Sequence, residues 1–148
     1  MTKPARALAA ALLATAACAT ARAPPPPASV ADGRCEAAFA HADGLLRAGM
    51  EQVVADMTRY VKVRDPGADT SLATARVRAR AAAFASEHAP AFVAGCRGYG
   101  EERVGCIEAA ADPRALSACG EEPLVRAFTD EVLPAFTADP LSRVPTGP

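Results

Sequence analysis

The stretch "RDPGADT", residues 64–70, interrupts a long helical pattern, and its reading decides the fold. Before it, Cys35, Phe39, Ala42, Leu46, Met50, Val53, Met57 and Tyr60 recur at helical spacing and draw one apolar stripe over Asp32 to Val63. Asp32 is placed to cap that helix. Gly44 and Gly49 each weaken its middle by up to ~1 kcal/mol, so a bend or break there is expected. Pro66 restricts the residue before it, and Gly67 with the flanking aspartates supplies turn chemistry, so the helix ends here. After the turn, a second helix is expected from Thr70 or Ser71 through "LATARVRARAAAFASEH". Arg76, Arg78 and Arg80 read as its solvated face. Pro90 either kinks this helix or starts a new segment, "PAFVAGC".

Glycines 95, 98 and 100 then loosen the chain. Two short helices, "EERVGCIEAA" and "PRALSAC", are divided by Asp112-Pro113, with Asp112 as N-cap of the second. A last candidate, "EPLVRAFTDEVLPAF", puts Leu124, Phe128 and Val132 on one face. The expected fold class is all-α: a small disulfide-stapled bundle of antiparallel helices, one helical hairpin plus short helices. It is expected over residues 32–138, after a disordered Pro-rich tether and before a disordered tail at 139–148.

The chain has 148 residues, enough for one domain with appendages. Its hydrophobic fraction of 51% flatters the core, because 38 of those residues are alanine and only 27 are Leu, Ile, Val or Phe. Alanine favours helix but buries little area. A thin core of this kind needs cross-links.

Cys35, Cys96, Cys106 and Cys119 form an even set in the body of the chain, and disulfides between them are expected to act as structural staples. In an antiparallel hairpin, residues equidistant from the turn face one another. The midpoint of positions 35 and 96 falls between Asp65 and Pro66, and that of 106 and 119 between Asp112 and Pro113. Symmetry about the two turns favours Cys35–Cys96 with Cys106–Cys119. Cys96–Cys106, centred near Gly100, with Cys35–Cys119 is the rival. The spacings do not fit zinc, whose structural ligands come in close pairs, and no CxxC redox motif occurs.

Residues 1–17 have the form of a secretory leader: "TKPAR" carries two positive charges and precedes the uncharged run "ALAAALLATAA". Residues 18–31 contain Cys18 and the proline-rich "ARAPPPPAS". The stretch "TAAC", Thr15 to Cys18, resembles the lipobox of bacterial lipoproteins. Ala16 and Ala17 match that pattern, and Thr15 stands where the family usually has leucine. The resemblance implies cleavage before Cys18 and lipidation of its sulfur, with residues 19–30 as a tether reaching about 35 Å when extended. General signal peptidase cleavage after Ala21 or Ala23 is the alternative. Leader, tether and "C…C…CIEAA…LSAC" together resemble the small, alanine-rich, all-helical lipoproteins of bacteria. That resemblance implies a cell-envelope location facing the periplasm or the cell surface, and brings no activity with it.

Net charge is −1, and removal of Lys3 and Arg6 with the leader makes the remainder more acidic. No basic stripe suggests nucleic acid as a partner. No GxSxG, HExxH, P-loop or dinucleotide fingerprint occurs. His41 reads as a partly buried helix residue, and His88 as sitting near a helix C-terminus, where a cation is favoured. Glu101-Glu102 and Glu121-Glu122 read as solvated helix starts. No catalytic, cofactor or metal residues are assigned; the only assigned sites are Cys18 for lipid and the four paired cysteines.

The expected function is a lipid-anchored envelope module, binding, adaptor or structural, held to the membrane by its N-terminal lipid and meeting an unknown envelope protein. A periplasmic stress chaperone that opens at acid pH is one alternative. A secreted, non-lipidated helical protein is another, with a remote enzymatic possibility through His41 and nearby acids.

Overall fold

The computed structural model describes residues 30–137. The leader, Cys18, the tether and the tail lie outside the described residues. Within them the chain is all helix: α1 Asp32–Arg64, α2 Ser71–Cys96, α3 Glu101–Ala109, α4 Pro113–Leu116, α5 Glu122–Val132 and α6 Pro134–Thr137. A wide turn, Ser117–Glu121, joins α4 to α5.

α1 and α2 form the antiparallel hairpin. Its turn is built by aspartates: Gly67 N–H donates to the Asp65 carboxylate at 3.0 Å, and Ser71 N–H to that of Asp69 at 2.9 Å. The second bond is the main cause holding the Asp69 carboxyl below its usual pKa. Lys62 and Arg64 sit in the last turn of α1, where positive charge suits the helix dipole.

The register follows from the turn. Cys35 pairs with Cys96 across a Cα–Cα distance of 5.8 Å. One turn inward, Phe39 and Phe92 meet with ring centroids 5.3 Å apart. Ala38, Ala42 and Ala81 are fully buried, and these small side chains let helices approach closely. Farther along, Arg78 of α2 donates to both carboxylate oxygens of Glu51 in α1 at 2.8 Å each.

α3 packs on α1, where Arg34 bridges Glu108 and Glu101. α5 and α6 pack on α2. On α5, Leu124, Phe128 and Val132 are buried, and Phe128 meets Phe84 edge to face at 5.1 Å. All five phenylalanines of the chain are buried, which concentrates the large apolar volume that the alanines lack. Cys106 and Cys119 fasten α3 to the wide turn, Cα–Cα 5.6 Å. Asp112 caps α4, accepting from Ala115 N–H at 2.7 Å, with Pro113 in the first turn.

Four local expectations change. α1 begins at Asp32 with Ala31 in the cap position and no side-chain cap, so Asp32 is not the cap. α1 runs unbroken through Gly44 and Gly49, because tertiary packing outweighs their propensity cost. α2 likewise runs through Pro90, which places His88 well inside the helix rather than at its end. Arg78 and Arg80 are not merely solvated; both tie α2 to other helices, Arg80 through Glu131 of α5.

Gly49 has a reason to be glycine. A Cβ there would stand 3.2 Å from Pro113 Cγ, whereas one at Gly44 would meet nothing within 4 Å. Gly44→Ala is therefore expected to stabilise the fold by about 0.5–1 kcal/mol, and Gly49→Ala by clearly less or not at all. Thermal melts of the two variants compare them directly; an equal gain at both positions would remove the close contact between α1 and the Asp112-Pro113 turn.

Candidate functional site

Three groupings of side chains could carry function. The first is an apolar groove of about 190 Å³ between α1 and α5. Leu46, Met50 and Val53 of α1 form one wall, with Pro113, Phe128 and Leu133 opposite or at the ends. Its α1 wall continues the helical stripe toward Tyr60. The large apolar residues left exposed among those described, Val53, Tyr60, Val63 and Leu72, all lie on the distal half of the hairpin. At 1.5 Å per residue, a helix of 33 residues spans about 50 Å, so this apolar end is remote from the start of α1.

The second grouping surrounds Glu121, which is buried at 4% exposure. It is not a solvated helix start, unlike its exposed neighbour Glu122. Gly120, at φ 93°, turns the chain in a conformation that favours glycine and aims the following residue inward. Arg103 of α3 then donates to Glu121 Oε1 from Nη2 at 2.8 Å and from Nε at 3.2 Å. The same Nη2 donates to the Gly120 carbonyl at 2.9 Å. A Cβ at residue 120 would lie 3.2 Å from Arg103 Cζ, so the guanidinium lies against the glycine. Arg103 also stacks over the Tyr99 ring at 3.8 Å. Burial, then the negative charge of Glu121, raises the Tyr99 pKa, with Arg103 partly opposing. Nothing in the helical periodicity points to this cluster; the only local signal is the glycine before the acidic pair.

The third grouping is Glu87, His88 and Glu131, whose candidate ligand atoms all lie within 4.8 Å of one another. Arg80 already bonds both carboxylates, and His88 Nε2 lies 3.4 Å from Glu131 Oε1 while its ring stacks on Phe84 at 4.0 Å. The guanidinium supplies the positive charge that a metal ion would bring. Sequence spacing does not show this grouping, because Glu131 reaches it from a different helix.

The remaining sites named from sequence fall as follows. His41 is part-buried and its Nε2–H donates to the Ala110 carbonyl at 2.9 Å, closing the end of α3 onto α1. Cys35 and Cys96 are fully buried, whereas Cys106 is exposed and Cys119 half-buried. Cys18 lies outside the described residues.

The Tyr99 environment gives a pH prediction. In Tyr60→Phe, Tyr99 is the only phenol of the chain, and its absorbance titration should have a midpoint above the ordinary value near 10. Because the folded-state pKa is raised, the stabilisation from neutral Tyr99 is present below the unfolded value and is lost as pH rises through the folded one. A midpoint at or below the ordinary value would contradict the buried, Glu121-facing placement.

No protein-family model matches the chain, and no curated protein or solved structure matches it either.

Proposed function

We propose that this protein is an exported, lipid-anchored helical module of the cell envelope, tethered through Cys18 and engaging an envelope partner with the apolar distal half of its hairpin. The observation that carries the reading is cysteine usage. Four of the five cysteines stand as two bonded pairs inside the domain, and the fifth sits in "TAAC" between an apolar run and a proline-rich tether. Paired cysteines in a small domain favour an oxidising compartment. An even set inside the domain leaves Cys18 available for acylation, and more than one acyl chain on it would anchor durably.

The groove and the exposed Val53, Tyr60, Val63 and Leu72 support the binding half of the proposal. Exposed apolar groups gathered in one region of a domain are a common mark of a contact surface. Their distance from the tether would hold them away from the anchoring membrane. No described helix is long and apolar enough to cross a bilayer, so a lipid is the means of attachment that this reading requires.

The test is intact mass and fractionation of the full-length gene product. Wild type is expected in the membrane fraction, starting at Cys18, with added diacylglyceryl mass and no titratable thiol. Cys18→Ala is expected to leave that fraction while keeping both disulfides. Full-length cytosolic protein with free thiols would overturn the proposal.

A further inference from the structure

The two disulfides differ in what surrounds them. Cys35 and Cys96 are at 0% exposure, behind Phe39 and Phe92. Cys106 is exposed on α3, Cys119 is half-buried on the wide turn, and both line an open depression with Gly100, Glu102, Arg103 and Ala118. Thiol–disulfide exchange requires a thiolate to reach a sulfur in line with the S–S bond, so access separates reactive from inert disulfides.

We propose that Cys106–Cys119 is a reversible thiol-exchange site that accepts electrons from an external protein dithiol, while Cys35–Cys96 is an inert staple. A thiolate of the dithiol attacks Sγ of Cys106, the more exposed residue of the pair. The Cys106–Cys119 bond breaks, its electron pair leaves on Cys119 Sγ, and that thiolate takes a proton from solvent. The second thiol of the dithiol loses its proton and attacks the mixed disulfide. Cys106 is thereby released as a thiolate, which is protonated in turn. The net change is a two-electron, two-proton reduction of Cys106–Cys119 and oxidation of the dithiol to its own disulfide.

Opening the bond does not free the segments it joins. Arg103, one turn before Cys106, holds the Gly120 carbonyl and the Glu121 carboxylate, the two residues after Cys119. Arg34 independently ties α3 to α1. The reduced thiols therefore stay close, at high effective concentration, and the bond re-forms readily. Arg103 is a positioning residue in this scheme. The proposal goes beyond an envelope adaptor and stands whether or not Cys18 carries lipid.

The experiment uses the folded full chain, incubated without denaturant in graded dithiothreitol, then alkylated and analysed by intact mass and peptide mapping. Under mild reduction, the expected product carries two new alkyl groups, on Cys106 and Cys119, with Cys35–Cys96 intact and helical circular dichroism unchanged. A thioredoxin-type dithiol protein should give the same product. Re-oxidation in a dithiothreitol redox buffer should show Arg103→Ala closing with an equilibrium constant about tenfold lower, whereas Arg34→Ala leaves it within about twofold. Three results would overturn the proposal: both disulfides opening together, Cys35–Cys96 opening first, or neither opening until the chain unfolds. Equal closure constants in wild type and Arg103→Ala would overturn the role given to Arg103.

Discussion

The Cys35–Cys96 bond closes the open end of a hairpin in which alanine fills several of the fully buried positions. Where they meet, Ala38, Ala42 and Ala81 are fully buried, and alanine contributes small apolar area. Close approach is the compensation, and a covalent bond at the end farthest from the turn preserves it. The bond spans 61 residues and the second disulfide 13. Loop-closure entropy assigns them roughly 4 and 3 kcal/mol, amounts comparable with the total stability of a small domain. With the hairpin fixed, α3 and α5 have surfaces to dock on.

What docks is where the large side chains are. Phe84 and Phe128 pin α5 to α2, and Phe136 buries the end of the described chain in the same core. Interhelical arginines trim the edges: Arg34 to α3, Arg78 to α1 and Arg80 to α5. Exposed pairs of this kind are screened by solvent and contribute little to stability. They set register and orientation more than stability. The Arg103–Glu121 pair differs because its carboxylate is buried, so removing the arginine would leave a desolvated charge.

Residues that obey a local rule were legible from the sequence. Asp112 before Pro113 is a cap, and Leu124, Phe128 and Val132 share a face at helical spacing. The all-helical, cross-linked architecture follows from the stripe that ends at Asp65-Pro66, and equidistance from two turns favours the pairs that the structure bonds, although the sequence leaves Cys96–Cys106 with Cys35–Cys119 open. Apart from the start of α1, where Ala31 and not Asp32 holds the cap position, the misreadings involve tertiary partners. Glu121 looked like half of a solvated pair, since the arginine that buries it lies on another helix. Arg78 and Arg80 looked solvated because Glu51 and Glu131 are distant in the chain. His88 was assigned to a helix end because Pro90 follows closely, yet packing carries the helix past the proline. The position of the groove is not legible from sequence, because its walls come from α1, the Asp112-Pro113 turn and α5, which are distant in the chain.

The placement of the cross-links also sets where the domain can yield. The described chain begins at Val30, which is buried, and reaches Cys35 within the first turn of α1. The first turn of α1 is therefore fastened covalently to the end of α2. The opposite end, from Val53 to Leu72, has neither disulfide and exposes Val53, Tyr60, Val63 and Leu72. Local opening is cheapest where few buried contacts are lost. The turn end of the hairpin is therefore where the domain opens at least cost, while the end held by Cys35–Cys96 keeps its register.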